Sequence, residues 1–502
     1  MTKIKGVMMS SEAIEPAGFV SQFKLDSTQS KIVDFIDVDS NDNIYLGSSM
    51  YAYVDGVNTP GQTFAKVDSD PTSENFGLLS NIKMHKVTTW YGSMQQAFCV
   101  SGSNIHSAHV NWQYPNGQAS ANQRNYSTHF KTDLDFNNLS TLNSWHLNAT
   151  SAWGPSSQSF SKIVADSSGG AYLGAIVNQG TTWGQRGTGV VKVNSSGSQQ
   201  WKRFVIGTSD GTYKVRNLQS IDVNSNDYSA WGSWAEGSGT GVNDSSVIGL
   251  FNSSGTQQFL KLLTKGNRLQ VRGVHVDSSQ NVYIAATGSV NYEYIRPVII
   301  KLNSSGVHQW TRKLSVTLPT STTSAGWQAH IYAHNIAVHG SDIYCYCTYT
   351  ESDPRNNIYS LDNRIGILKL DTSGNFGYYR EITDNRTDNR DFLAQGNNST
   401  QQQFITDSQG NLILGFNDFR SSAWINYLMK IPQSKAQSGG FTGTYHGYIE
   451  VNALSGSLIS ETTSVSDWPV ASTTSLYALN GSAASLSTGS VATTTNNTSY
   501  LY

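Results

Sequence analysis

An all-β ring of seven four-stranded units is what this sequence predicts, on three observations. The first is a pattern written three times: Lys192-Val-Asn-Ser-Ser-Gly-Ser-Gln-Gln-Trp201, Leu250-Phe-Asn-Ser-Ser-Gly-Thr-Gln-Gln-Phe259 and Lys301-Leu-Asn-Ser-Ser-Gly-Val-His-Gln-Trp310, with a degenerate fourth at Lys369-Leu-Asp-Thr-Ser-Gly-Asn-Phe-Gly-Tyr378. The turn glycines Gly197, Gly255, Gly306 and Gly374 recur at roughly 50–70 residues, a period that belongs to a propeller or an array of modules. The second is composition: 45 glycines, 37% hydrophobic, 11% aromatic and only 14% charged residues among 502, the profile of a turn-rich β protein able to bury a large core. The third is an imbalance at the ends. The chain begins with an orphan strand and finishes with a unit that lacks one.

Each unit reads as four strands, a to d. An Asp-rich turn follows a, strand b is aromatic and β-branched, c ends at Lys-Leu or Lys-Val, and d follows the Asn-Ser-Ser-Gly turn. Residues 1–17 form a leader, and Gly18 to Leu25 match strand d with no partner before them. The first complete unit spans 31–82. A looser second spans 85–147, with strands expected near Val87, Phe98, Phe130 and Leu142. Four more follow at 159–205, 215–263, 270–314 and 329–382, and the last begins at Gln401 and stops at Pro432 without a strand d. If the opening strand completes that last unit, no open sheet edge remains and the array closes. The expectation is therefore a seven-bladed β-propeller of four-stranded blades over 18–432, closed by the N-terminal strand. No helical periodicity competes.

From about Lys435 large apolar residues thin out into Ser, Thr, Ala and Gly. Residues 433–502 read as an extended C-terminal docking tail, too poor in apolar groups to order itself and expected to lie on another subunit through Leu454, Leu458, Trp468, Val470, Leu476 and Tyr500-Leu-Tyr502.

Thirty-three basic and 35 acidic residues leave a net charge of −2, so nothing draws the chain globally to nucleic acid, and no run is long enough to span a membrane. The first residues lack the apolar core of a secretory signal, which predicts synthesis in a cytoplasm. Cys99, Cys345 and Cys347 read as buried thiols, the last two on one face of a strand, rather than a disulfide framework.

The repeat Asp277-Ser-Ser-Gln-Asn-Val-Tyr283 with Lys301 to Trp310 resembles the seven-bladed propeller repeats of bacterial and bacteriophage proteins. That resemblance covers about residues 18–431, implies the fold and carries no catalytic residues. The composition and frayed tail also resemble a bacteriophage virion protein. This second likeness implies a viral structural protein, tail-fibre or capsid associated, that joins other virion proteins through its leader and tail and serves host attachment.

No Gly-x-Ser-x-Gly elbow, phosphate-binding loop or His-Glu-x-x-His motif occurs. Asp39-Ser-Asn-Asp-Asn43 spaces its oxygens as calcium loops do, but lacks the glycine and distal Glu, so turn chemistry is expected there. Asp384 to Asp391 reads as self-neutralised loop charge, and His330, His334 and His339 as side chains that a strand scatters between faces. No cofactor or metal is expected.

The propeller topology sends the b–c and d–a connections to one face, and the long connections are of that class. They carry Trp112, Tyr114, Tyr126, Trp153, Trp183, Trp234, Tyr292, Tyr294, Trp327 and Tyr359 as candidate binding residues. Aromatics among amides suit a glycan or a protein partner, and suit equally well the capping of the blades. The expected function is a non-enzymatic virion protein whose propeller face binds a neighbouring subunit or a host-surface glycan. The alternative is a glycan-active lyase or glycosidase on the same scaffold, with Glu236, Glu293, Asp353 and Asp418 in the right connections.

Overall fold

The repeated turns close on themselves. In the computed structural model Asp39 Oδ1 accepts from the N–H groups of Asn41 and Asn43, each at 2.9 Å, while Asn43 Nδ2 donates to Oδ2 at 2.8 Å. Asp277 and Asp407 bind Asn281 and Asn411 in the same way. In the other turn class Asn194, Asn252 and Asn303 each accept from the amides two and four residues on. These are Asx turns, in which a short side chain does the work of a backbone carbonyl and sets the strand reversal. The structure describes residues 18–25, 33–48, 52–54, 57–59, 61–73, 75–87, 93–113, 124–138, 140–146, 160–178, 186–207, 213–237, 245–264, 268–290, 293–316, 328–353, 358–359, 364–384, 403–420, 423–446, 449–467, 486–490 and 493–501.

Hairpins joined by these turns build seven antiparallel sheets arranged as blades. The innermost strands are Phe35–Val38, Ser93–Ser101, Phe160–Ala165, Tyr213–Val223, Arg268–Val276, Gln328–His339 and Phe404–Thr406. The ring closes as expected: strand Gly18–Leu25 pairs with Ala423–Ile431, placing Phe19 opposite Lys430 and Gln22 opposite Tyr427. Phe19, Val20 and Phe23 are fully buried there.

Blade 2 departs from its expected register. Val87 ends the outer strand of blade 1, Phe98 lies on the inner strand of blade 2, and strand Asn104–Gln113 occupies what read as a loop. The reversal between them is a two-residue turn at Gly102 (φ 58°), without the Asp that marks the equivalent turns elsewhere. Two further elements had no sequence signal: a hairpin Ala52–Val54/Val57–Thr59, and a helix Gln433–Ser438 that follows Pro432 and ends at left-handed Gly439. A helix under two turns long leaves no periodicity to read.

The turn glycine and the strand-d aromatic of the repeat meet across the blade boundary. A Cβ on Gly255 would stand 2.7 Å from the Trp201 ring of the preceding blade, and one on Gly306 would stand 2.8 Å from Phe259. Gly374 bears the same relation to Trp310, and Gly439 to Tyr378. The lysine that ends strand c fills a second seam: Lys192 Nζ lies 4.8 Å from the Tyr172 ring centroid, 3.6 Å from Asp166 and 3.4 Å from Asp227 of the next blade. Lys301 over Tyr283 and Lys66 over Tyr45 repeat the cation–π contact.

The tail lies on this chain's own propeller. Strand Ile449–Leu454 adds to the outer strand of blade 6, Gly456–Ser460 to blade 5, Ser464–Asp467 to blade 4 and Leu486–Ser490 to blade 1. Thr493–Leu501 then pairs with Gly18–Leu25, so the first and last described strands lie side by side in blade 7. The described tail strands thus run round the ring against the order of the blades, each covering an edge that would otherwise present unpaired amides. The partner expected for the tail was another subunit; a backbone ladder needs few apolar anchors, which is why a Ser/Thr-rich segment orders here.

Candidate functional site: the channel at the blade axis

The inner strands of blades 2 to 6 share an irregularity. In each, one or more residues are skipped in the pairing with strand b: between Gln95 and Ala97, Phe160 and Lys162, Val215 and Ser220, Val271 and Gly273, and Ala333 and Asn335. Such bulges re-aim a side chain and gather near functional sites. The extra residues include Gln219, Arg272 and His334. Gly273 makes room for its bulge, because a Cβ there would meet Asn335 of the next blade at 2.9 Å.

Several of these residues bond to one another and to their strand neighbours. Arg272 Nη2 donates to Gln270 Oε1 at 3.1 Å and Nη1 to Gln219 Oε1 at 3.5 Å, while Arg268 Nη2 reaches the same Gln270 oxygen at 2.8 Å. His334 Nε2 lies 2.6 Å from Thr348 Oγ1, and His330 Nδ1 accepts the Ile295 N–H at 3.2 Å. Burial, reinforced by the charges of Arg272 and Lys162, pulls His334 down to about 3. Burial with Arg296 and Arg268 pulls His330 down to about 4. Both rings are neutral at pH 7 and sit in a positive field. Burial alone brings the Lys162 amine down to about 7.

Lys162 also lines an axial cavity of about 350 Å3 that continues past Asn335, Ser220 and Asp222 to Asp37 and Thr406. Asp37 is raised to about 7 by burial, against the lowering effect of the Val100 and Val38 N–H groups it accepts from. Asp222 accepts from Val276 N–H at 2.9 Å and lies 3.1 Å from His275 Nδ1. Ser220 Oγ accepts from Val274 N–H, and Asn335 Nδ2 donates to Phe404 O. Along the cavity these bonds stitch one blade to the next, and Lys162 is the lysine that lines it.

The aromatic candidates fall differently from their expectation as loop residues. Trp112, Tyr126, Trp234 and Tyr294 stand on b and c strands that extend further than the turn signals indicated, and Tyr359 on a two-residue strand, Ile358–Tyr359, within its connection. Trp234 is half-buried. Tyr114, Trp153, Trp183, Tyr292 and Trp327 lie outside the described residues, as do residues 385–391 and the 1–17 leader. Glu236, Glu293, Asp353 and Asp418 all occupy b–c hairpin ends, each in a different blade. Of the histidines, His330 and His334 are buried on their strand with the partners just named, whereas His339 packs against Gly410. The thiols are buried, with Cys345 and Cys347 Sγ 3.7 Å apart on one strand face. No group of three metal-ligating side chains occurs among the described residues.

The Lys162–Arg272–His334 cluster escaped sequence reasoning, which looked for chemistry in long connections. Its one legible signal was a glycine inside a strand, Gly273 directly after Arg272.

No family model matches the chain, and no curated protein matches it in sequence. Among solved structures it is similar to the polysaccharide lyase Uly1, at 10% identity and TM-score 0.42 over 80% of this chain and 90% of that one. It is also similar to a Trypanosoma rangeli sialidase, at 9% and 0.31 over 83% of this chain and 61% of that one. A third is the sucrose-6-phosphate hydrolase of Lactobacillus gasseri, at 10% and 0.28 over 82% and 92%. At these values the likeness concerns the fold. The expectation of a non-enzymatic virion component is corrected: these similar structures are a lyase, a sialidase and a hydrolase, which accords with the glycan-active alternative rather than with that reading.

Proposed function

We propose that the chain is a polysaccharide-active enzyme working in the axial channel beside Lys162, by base-initiated elimination. The observation that carries this reading is Lys162, a buried lysine that lines the axial cavity where the inner strands of several blades meet. A buried amine titrating at about 7 is matched to proton abstraction at neutral pH.

In the step we envisage, Lys162 Nζ takes a proton from a sugar carbon beside a carbonyl group. The C–H electrons form a carbon–carbon double bond, the glycosidic C–O bond breaks, and the Lys162 ammonium returns the proton to the leaving oxygen. The neighbouring cations favour the negative charge that develops on the carbonyl oxygen. Hydrolysis would instead need two carboxylates facing one bond. The described carboxylates that line the channel are engaged otherwise: Asp222 binds His275, and Asp37 holds two backbone amides.

The test is a panel of acidic and neutral polysaccharides, followed by both reducing ends and the ultraviolet absorbance of the new double bond. Elimination gives both signals, and Lys162→Met abolishes both. Reducing ends without the absorbance would establish hydrolysis and overturn the elimination reading.

A further inference from the structure

We propose that the outer edges of blades 3 and 2 are docking surfaces for residues 468–485 of this same chain, one strand on each, so that the tail forms a belt over all seven blades. The segment itself lies outside the described residues; the two edges, and the tail strands before and after it, are described.

The described tail strands fall on blades 6, 5 and 4, and then on 1 and 7. That descending order passes over blades 3 and 2 alone. Their outer strands, Gln199–Ile206 and Ser140–His146, are the ones to which no tail strand is added among the described residues. The tail also keeps a stride. Its strands at Ile449, Gly456 and Ser464 start 7 and 8 residues apart, and those at Leu486 and Thr493 start 7 apart. From Ser464 to Leu486 is 22 residues, three steps of the same stride, and three steps are what two intervening blades require. A crossing that paired with nothing would have no reason to keep that length.

The register is as regular as the stride. Every described tail strand starts opposite the last residue of the outer strand it covers: Ile449 at Asp384, Gly456 at Val316, Ser464 at Thr264, Leu486 at Val87 and Thr493 at Leu25. The equivalent residues are Ile206 in blade 3 and His146 in blade 2. Even steps from Ser464 bring Ala471 to the first and Ala478 or Leu479 to the second. Antiparallel pairing from Ile206 then sets Thr474 opposite Arg203. Pro469 falls in the link between strands, where its missing N–H costs no ladder bond. Both flanks of the segment are fixed on this ring, at Asp467 on blade 4 and Leu486 on blade 1, which favours it over a strand from another chain. A ring belted in this way offers no unpaired ladder to a partner strand and leaves recognition to its two faces.

An Arg203→Cys/Thr474→Cys variant of the full chain tests the register, since the three native thiols are buried. Mild oxidation should crosslink the chain on itself, seen as faster migration in a denaturing gel without reductant. Arg203→Cys/Ser490→Cys, with Ser490 held opposite Lys83 on blade 1, should give no such band. Hydrogen exchange needs no substitution. The amides of Gln199–Ile206 and Ser140–His146 should be protected as those of Gln257–Thr264 are. Truncation after Asp467 should speed exchange at both edges at least about tenfold and leave Gln257–Thr264 unchanged. Crosslinked dimers in place of the intramolecular band would give the edge to a second copy, and exchange at both edges that the truncation does not alter would leave them bare. Either result overturns the proposal.

Discussion

Trp201 covers Gly255 of the next blade, its Nε1 donating to Ser253 O at 2.8 Å while its ring fills the space a Cβ would need. The glycine is required twice over, since its φ of 78° lies in the left-handed region. Gly255→Ala should therefore lower stability by about 3 kcal/mol, combining backbone strain with overpacking. Gly102→Ala provides the comparison. Its φ is 58° with nothing within 4 Å, so only the backbone cost of about 1 kcal/mol applies. Urea denaturation of the two variants measures the difference; equal losses would show that the tryptophan contact contributes nothing.

Lys192 holds Asp166 and Asp227, from adjacent blades, on either side of one ammonium group. Lys192→Met keeps the stem but leaves two carboxylates facing each other in a buried seam. A loss of about 3 kcal/mol is expected. Adding Asp227→Asn to Lys192→Met should restore part of it, a coupling that a double-mutant cycle in denaturant would detect.

Truncation after Leu454 removes the strands that cover the outer edges of blades 5, 4, 1 and 7. The shortened chain should remain folded, because the closure between Phe19 and Lys430 is untouched. Its bared edges should make it associate with increasing concentration and yield faster to protease at Gln257–Thr264 and His308–Val316. Light scattering and limited proteolysis provide the readouts, and a monomer as resistant as the full chain would contradict the protective role.

Turnover should rise with pH through about 7, as the Lys162 ammonium loses its proton. Stability has its own sign. The folded amine titrates at about 7 and the unfolded one near 10.5, so the unfolded chain binds more protons between those values and stability increases with pH across that window. Lys162→Met should thus stabilise the protein below pH 7, by at most about 5 kcal/mol, with the gain fading toward pH 10.5. Thermal melts across pH measure this, and a gain that grows with pH would refute the assignment.

The blades were legible because their information is local. An Asp or Asn followed by its own turn amides, and a strand alternating in and out, need only a few neighbouring residues, so Asp39, Asp277 and Asn303 announce their hairpins without help. Closure was legible too, because a strand lacking a partner at one end matched a blade lacking a strand at the other. Blade 2 misled because Ser101 to Asn104 reverses the chain without that chemistry.

What the sequence determined by itself, then, is the repeating hairpin and the number of blades. Only the tertiary structure decided what each repeat touches: that Trp201 serves Gly255 of the next blade, that the tail covers its own ring, and that the charges of Lys162 and Arg272 bear on His334. Those three residues lie on three strands far apart in the chain, and a bulge in the Arg272 and His334 strands shifts the alternation that would reveal their direction. Side-chain direction at a bulge depends on the partner strand and the neighbouring blade, which no local pattern encodes.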